Sequence, residues 1–121
     1  MTDSKKRILV AEDDPQISFI LRSLLENEGH MVETVDSGLE VKSKALSFVP
    51  DVILLDLIMP HADGYEALDD LKKDSATERI PVILITGMVE DRDRGLRAGA
   101  SGFLTKPVKG GELLEAIKKA I

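Results

Sequence analysis

The chain is predicted to fold as an α/β domain in which five parallel strands form one sheet and helices pack on both of its faces. Three observations carry the prediction. Short β-branched runs alternate with segments of helical period along the whole length. Two of these runs, Val52-Ile53-Leu54-Leu55 and Val82-Ile83-Leu84-Ile85, are apolar without a break, as strands buried on both faces must be. Each run is separated from the next by enough chain for a crossover helix, which parallel neighbours require.

Element by element, Ile8-Leu9-Val10-Ala11 is the first strand. Ile17, Ile20, Leu21, Leu24 and Leu25 follow at offsets of three and four, the apolar face of an amphipathic helix. Asp14 before Pro15 supplies its N-cap and first-turn proline, and Gly29 its stop. Met31 to Val35 alternates as a strand nearer the sheet edge would. Ser37 and Glu40 have capping-box spacing ahead of a second helix carrying Leu39, Val41, Ala45, Leu46 and Phe48. Pro50 closes that helix, and Val52 to Leu55, ending in Asp56, is the third strand. Asp63 and Glu66 repeat the capping spacing before a helix with Tyr65, Leu68 and Leu71. Pro81 to Thr86 is the fourth strand, Asp91 to Ala98 a short fourth helix and Gly102 to Thr105 the fifth strand. A last helix carries Leu113, Leu114, Ile117 and Ile121.

Composition bounds the function. The 121 residues match one domain spanning 1–121, with no linker, repeat or low-complexity run. A hydrophobic content of 43% fills a core that must be mostly aliphatic, since Phe19, Phe48, Tyr65 and Phe103 are the only aromatics. A net charge of −6 repels phosphate backbones, so direct nucleic-acid contact is not expected. The absence of cysteine excludes disulfides and thiol chemistry. The apolar runs fall far short of a membrane span, and Glu12-Asp13-Asp14 interrupts the first one too early for a signal peptide. The expectation is a soluble, cytoplasmic protein.

In a doubly wound sheet, function collects beyond the carboxyl ends of the strands. Strand one ends in Glu12-Asp13-Asp14, strand three in Asp56, strand four in Thr86-Gly87 and strand five in Thr105-Lys106-Pro107. Three carboxylates, a hydroxyl and an ammonium should therefore converge. Two unit charges about 4 Å apart at an effective dielectric near 20 repel by roughly 4 kcal/mol, so three mutually close carboxylates could cost about 12 kcal/mol. That rivals the roughly 5–15 kcal/mol that stabilises a whole domain. A raised carboxyl pKa, a cation or both must relieve it. Lys106 offsets one charge, and a hard divalent ion such as Mg²⁺ suits the remaining oxygens.

These motifs carry a resemblance. Ile8-Leu9-Val10-Ala11-Glu12-Asp13-Asp14, Asp56-Leu57-Ile58-Met59-Pro60 with Asp63-Gly64, Thr86-Gly87, and Gly99-Ala100-Ser101-Gly102-Phe103-Leu104-Thr105-Lys106-Pro107 together resemble a bacterial response-regulator receiver domain. The resemblance covers nearly the whole chain. It implies the flavodoxin-like strand order 2-1-3-4-5, an order that the alternation of elements alone does not yield. It further implies that Asp56 accepts a phosphoryl group from the phosphohistidine of a sensor kinase or phosphotransfer protein. Asp13, Asp56 and the backbone carbonyl of Ile58 would hold Mg²⁺ (or Mn²⁺), with Glu12 a ligand directly or through water. Lys106 would pair with the phosphoryl oxygens, Thr86 would bond them on arrival, and Phe103 would follow Thr86 as a switch. The bond to Pro107 would be cis. The implied partners are that kinase and a downstream protein or output domain, with the fourth helix, fifth strand and fifth helix as the switching face and as a homodimer surface. Glu12 stands where many members have Asp, and Phe103 where the flagellar-switching chemotaxis regulator has tyrosine.

Two other readings compete. One is an enzyme of related fold. A flavodoxin would need a phosphate-cradling loop where Glu12-Asp13-Asp14 stands, and a Mg²⁺-dependent phosphatase of the haloacid-dehalogenase type would need a second Asp where Ile58 stands. The other is a receiver-like interaction domain that does not switch by phosphorylation, against which all five active-site side chains argue. Among residues outside the cluster, Phe19 falls off the apolar face of the first helix and is a candidate docking anchor. Gly95, inside the fourth helix, should cost about 1 kcal/mol relative to alanine. Arg92, Arg94 and Arg97 are expected on a solvated face paired with Glu90, Asp91 and Asp93. His30 and His61 share no ligand spacing and are read as surface residues. Two expectations stand for the output, a single-domain regulator acting through protein contacts or a larger protein of which this is one domain.

Overall fold

The computed structural model describes residues 5–59 and 64–121. These residues form five strands, β1 (Arg7–Ala11), β2 (Met31–Val35), β3 (Val52–Asp56), β4 (Val82–Thr86) and β5 (Gly102–Thr105). Between and after them come five helices, α1 (Pro15–Asn27), α2 (Val41–Phe48), α3 (Gly64–Lys73), α4 (Asp91–Arg97) and α5 (Gly110–Ala120). All strand pairs are parallel, in the order β2-β1-β3-β4-β5. The doubly wound architecture and its strand order are those expected.

The period-two alternation of the central strands divides the core. Leu9, Ala11, Ile53, Leu55, Val82 and Leu84 face one side and pack on Val41, Ala45 and Phe48 of α2 and Ala67, Leu68 and Leu71 of α3. Ile8, Val10, Val52, Leu54, Ile83 and Ile85 face the other and pack on Leu21 and Leu25 of α1 and Leu113 and Ile117 of α5. β3 and β4 are buried at every residue, which is why their sequences lack polar interruptions until Asp56 and Thr86. Truncating a residue such as Leu54 would cost about 2–5 kcal/mol in so closely packed an interior.

The helix boundaries follow local chemistry. The Asp14 side chain accepts from the Gln16 and Ile17 N–H groups at 2.9 and 3.3 Å, capping α1 ahead of Pro15. The helix stops at Gly29, whose φ of +94° is open to glycine at little cost. Ser37 accepts from the Leu39 N–H at 3.2 Å, but the turn it caps is a short 3₁₀ segment, Gly38–Glu40, that precedes α2. Four residues expected on apolar faces are instead exposed: Ile20 on α1, Leu39 in the 3₁₀ turn, Leu46 on α2 and Ile121 just past the end of α5. The 3₁₀ turn is the reason for Leu39, because it changes the angular phase between Leu39 and the helix behind it. The capping pair Asp63 and Glu66 cannot be placed, since Asp63, like His61, lies outside the described residues.

α4 approaches β4 closely. A Cβ at Gly95 would collide with the Leu84 side chain, so the glycine that weakens the helix is what lets it lie against the sheet.

Candidate functional site

The strand register brings the site together. β1 lies beside β3 and β3 beside β4, with Asp56 level with Ile85 and Ala11 level with Leu55. Thr86 is level with Thr105 across β4 and β5, and the Lys106 N–H donates to the Thr86 carbonyl at 2.8 Å. The Leu57 N–H donates to the Ile85 carbonyl at 3.0 Å, extending the ladder just past Asp56. Side chains leaving the carboxyl ends of four strands therefore share one rim.

Carboxylate oxygens of Glu12, Asp13 and Asp56 lie within 4.8 Å of one another. Glu12 and Asp56 are buried while Asp13 is exposed, so the cluster has a closed back and an open front. Asp56 Oδ1 accepts from the Ile58 N–H at 3.1 Å, and Asp56 Oδ2 pairs with Lys106 Nζ at 3.0 Å. Glu12 Oε2 accepts from the Asp14 N–H at 3.1 Å. Glu12 Oε1 stands 3.5 Å from Lys106 Nζ and, among the described residues, has no hydrogen-bond partner. The Lys106–Pro107 peptide is cis.

The electrostatics show the crowding. Burial pushes the Glu12 carboxyl up to about 7, and the adjacent Asp56 adds to the rise against the opposing pull of the Asp14 N–H and Lys106. Burial draws the Lys106 ammonium down, but the Asp56 hydrogen bond and the charges of Asp56 and Glu12 outweigh it and hold Lys106 above its ordinary range. Among the described residues one ammonium, that of Lys106, pairs with two of the three acids, Asp56 and Glu12. A buried carboxylate oxygen without a donor, two further carboxylates and an open front form an all-oxygen donor set, which fits a hard, partly hydrated divalent cation. Beside the cluster a groove of about 580 Å³ opens between α1 and β2, lined by Glu12, Asp13, Phe19, Arg22 and Asp36 among others.

Glu12, Asp13, Asp56, Thr86 and Lys106 come to this rim, while Phe103 lies two residues back along β5, level with Leu84. Thr86 is fully buried, and its hydroxyl accepts from the Met88 N–H at 3.2 Å and donates to Asp91 Oδ2 at 3.3 Å. Ile58 is exposed at the mouth. Phe103 is half-buried against the α2–α3 side of the core. Phe19 is 68% exposed beside the groove.

The arginines of α4 are exposed, as expected of a solvated face, but their expected acidic partners are not seen. Among the described residues no ion pair joins Arg92, Arg94 or Arg97 to Glu90, Asp91 or Asp93. Arg94 instead stacks over the Tyr65 ring, 3.8 Å from its centroid. Asp91 and Tyr65 were not legible as site neighbours. Their meeting depends on how α3 and α4 lie side by side, and the sequence carries no spacing signal for that.

The comparisons with known proteins agree with this geometry. The family model of the response regulator receiver domain matches residues 8–118. The chain is 38% identical to protein PilH of Pseudomonas aeruginosa over 117 residues, covering 95% of this chain and 97% of PilH. By contrast, it spans about half the length of several transcriptional regulators it also matches, between 46% and 56%. Among solved structures, chemotaxis response regulator CheY4 of Vibrio cholerae superposes with a TM-score of 0.91 at 28% identity, covering 98% of this chain and 100% of that one. The receiver domain of a Pseudomonas aeruginosa sensor histidine kinase, solved with a magnesium ion in its active-site cleft, superposes with a TM-score of 0.88 at 29% identity, covering 97% of this chain and 98% of that one. With the fold, the acidic rim and the sequence match in agreement, the chain belongs to the response regulator receiver domain family of two-component signalling.

Proposed function

We propose that the domain is a phosphoacceptor switch in which Asp56 takes a phosphoryl group from the phosphohistidine of a sensor kinase or phosphotransfer protein. The observation that carries this is the pairing of Asp56 with Lys106 at 3.0 Å inside a cluster of three carboxylates. A carboxylate oxygen of Asp56 attacks phosphorus, the P–N bond to the donor imidazole breaks, and the nitrogen leaves with that bond's electrons. Lys106 stands where it can take up charge on the equatorial oxygens, which is the main demand of a loose phosphoryl-transfer transition state. The Ile58 N–H on Oδ1 and the Lys106 ammonium on Oδ2 hold the Asp56 carboxylate in one orientation before the donor arrives.

Glu12, Asp13, Asp56 and the Ile58 carbonyl are the groups that would hold Mg²⁺, or Mn²⁺ in its place. When bound, such an ion supplies positive charge to nucleophile and phosphate together. The magnesium ion in the related kinase receiver domain supports the choice of metal.

The added phosphoryl group brings about 1.5–2 negative charges and strong acceptor oxygens. Thr86 and Lys106 are the donors on hand. Their response draws on β4, on the segment between β4 and α4, and on Phe103 at the neighbouring strand. The face built from α4, β5 and α5 is then the surface that changes for a downstream protein, an output domain or a second copy. The domain acts as a signalling acceptor and makes no direct contact with nucleic acid. No described helix is long and apolar enough to cross a membrane, in keeping with a cytoplasmic role.

The test is intact mass after incubation with acetyl phosphate and Mg²⁺. One added phosphoryl group on the native chain and none on Asp56→Asn is the expected result. An unchanged native mass would favour an interaction domain that does not switch by phosphorylation.

A further inference from the structure

Asp91 opens α4 with its carboxylate within reach of Thr86, whose hydroxyl donates to Asp91 Oδ2 at 3.3 Å. The backbone of Asp91 is held as well, its carbonyl accepting from the Tyr65 hydroxyl of α3 at 3.3 Å. Three residues further along α4, Arg94 covers the same Tyr65 ring. Thr86, Asp91, Tyr65 and Arg94 thus form one connected path from the rim of the acidic cluster to the seam between α3 and α4.

The chemistry of the hydroxyl makes this path exclusive. A threonine hydroxyl has one proton and donates to one acceptor at a time. The Thr86 backbone is held to β5, level with Thr105 and with its carbonyl accepting from the Lys106 N–H, so rotation about χ1 is the direct way for the hydroxyl to change acceptor. A phosphoryl group on Asp56 would be a second acceptor one residue along the neighbouring strand, because Asp56 is level with Ile85.

We propose that Asp91 is the resting-state acceptor that holds Thr86, and that phosphorylation acts by exchanging the Asp91 carboxylate for phosphoryl oxygens. This rests on the reading of Asp56 as the phosphoacceptor. When Thr86 turns away, Asp91 loses its donor just as the rim gains negative charge, and like-charge repulsion drives the carboxylate outward. The first turn of α4 moves with it. Through the Tyr65 hydroxyl and the Arg94 stack, the displacement reaches the α3–α4 seam. In the unphosphorylated chain the latched form dominates, so any phosphoryl group or mimic must first break the latch, and its apparent affinity is lowered by the unlatched fraction.

Beryllofluoride, a non-covalent phosphoryl mimic, tests the proposal on the whole chain in the presence of Mg²⁺. Asp91→Ala should bind it about three- to tenfold more tightly than the native chain, because the unlatched fraction rises. Asp91→Asn, which keeps a weaker acceptor, should move in the same direction by a smaller factor and covers the case of a poorly folded alanine variant. In a Thr86→Ala background, Asp91→Ala should tighten binding by a much smaller factor, the part that charge repulsion alone supplies. Unchanged affinity in both Asp91 variants would overturn the latch, as would a tightening that persists at full size without the Thr86 hydroxyl. Failure of the native chain to bind beryllofluoride at all would overturn the phosphoacceptor reading itself, and the latch with it.

Discussion

Glu12 is 2% exposed, yet among the described residues its two oxygens have one hydrogen bond, from the Asp14 N–H, besides the Lys106 ammonium 3.5 Å away. Burial first, and Asp56 second, raise its pKa from 4.5 to about 7. The sign of the linkage follows from which state holds the proton more tightly. Between pH 4.5 and 7 the folded chain keeps the Glu12 proton and the unfolded chain has lost it, so stability falls as pH rises through that window. The full loss is about 3 kcal/mol. Glu12→Gln should therefore unfold with a flatter pH dependence and be more stable than the native chain at pH 8 without metal, as read by urea denaturation with chelator present. At the scale of single residues, the acids, Lys106 and Thr86 were legible because each ends a recognisable strand. Asp91 was legible only as a helix residue, since its bond to Thr86 crosses from α4 back to β4.

Gly95 sets two local rules against each other. A helix interior favours alanine by about 1 kcal/mol, but here the added methyl must share space with a fully buried Leu84. Overpacking in a close-packed core costs about 1–3 kcal/mol, so Gly95→Ala should lower stability despite the gain in helix propensity. Urea denaturation at fixed pH decides the sign, and an increase in stability would contradict the packing of α4 on β4. The same contrast explains which boundaries could be read in advance. α1 begins where Asp14 and Pro15 say it should, because a cap acts within three residues. α2 begins four residues after Ser37, because the cap initiated a 3₁₀ turn instead, and the exposure of Leu39 follows from that phase change, whereas Leu46 is turned about 100° from the buried Ala45 beside it. The exposure of Ile20 on α1 has no local cause of this kind, since helical spacing marks a face but not its width.

For the molecule as a whole, the alternation of strands and helices entails a parallel sheet with two helical layers, and the core divides accordingly on alternate residues of each central strand. The strand order is another matter, because several orders satisfy the same alternation and only the resemblance singled out one. That order is what makes the site, since it places β1 and β3 side by side with their acidic ends together. Among the described residues Lys106 is the one cation paired with the crowded carboxylates, which leaves the demand for a divalent cation. Titrating Mg²⁺ into metal-free protein at pH 8 while following the melting temperature tests that demand most directly. Saturation in the millimolar range with a rise of about 5 °C, lost in Asp13→Asn, is the predicted result. A melting temperature that stays level throughout the titration would contradict it.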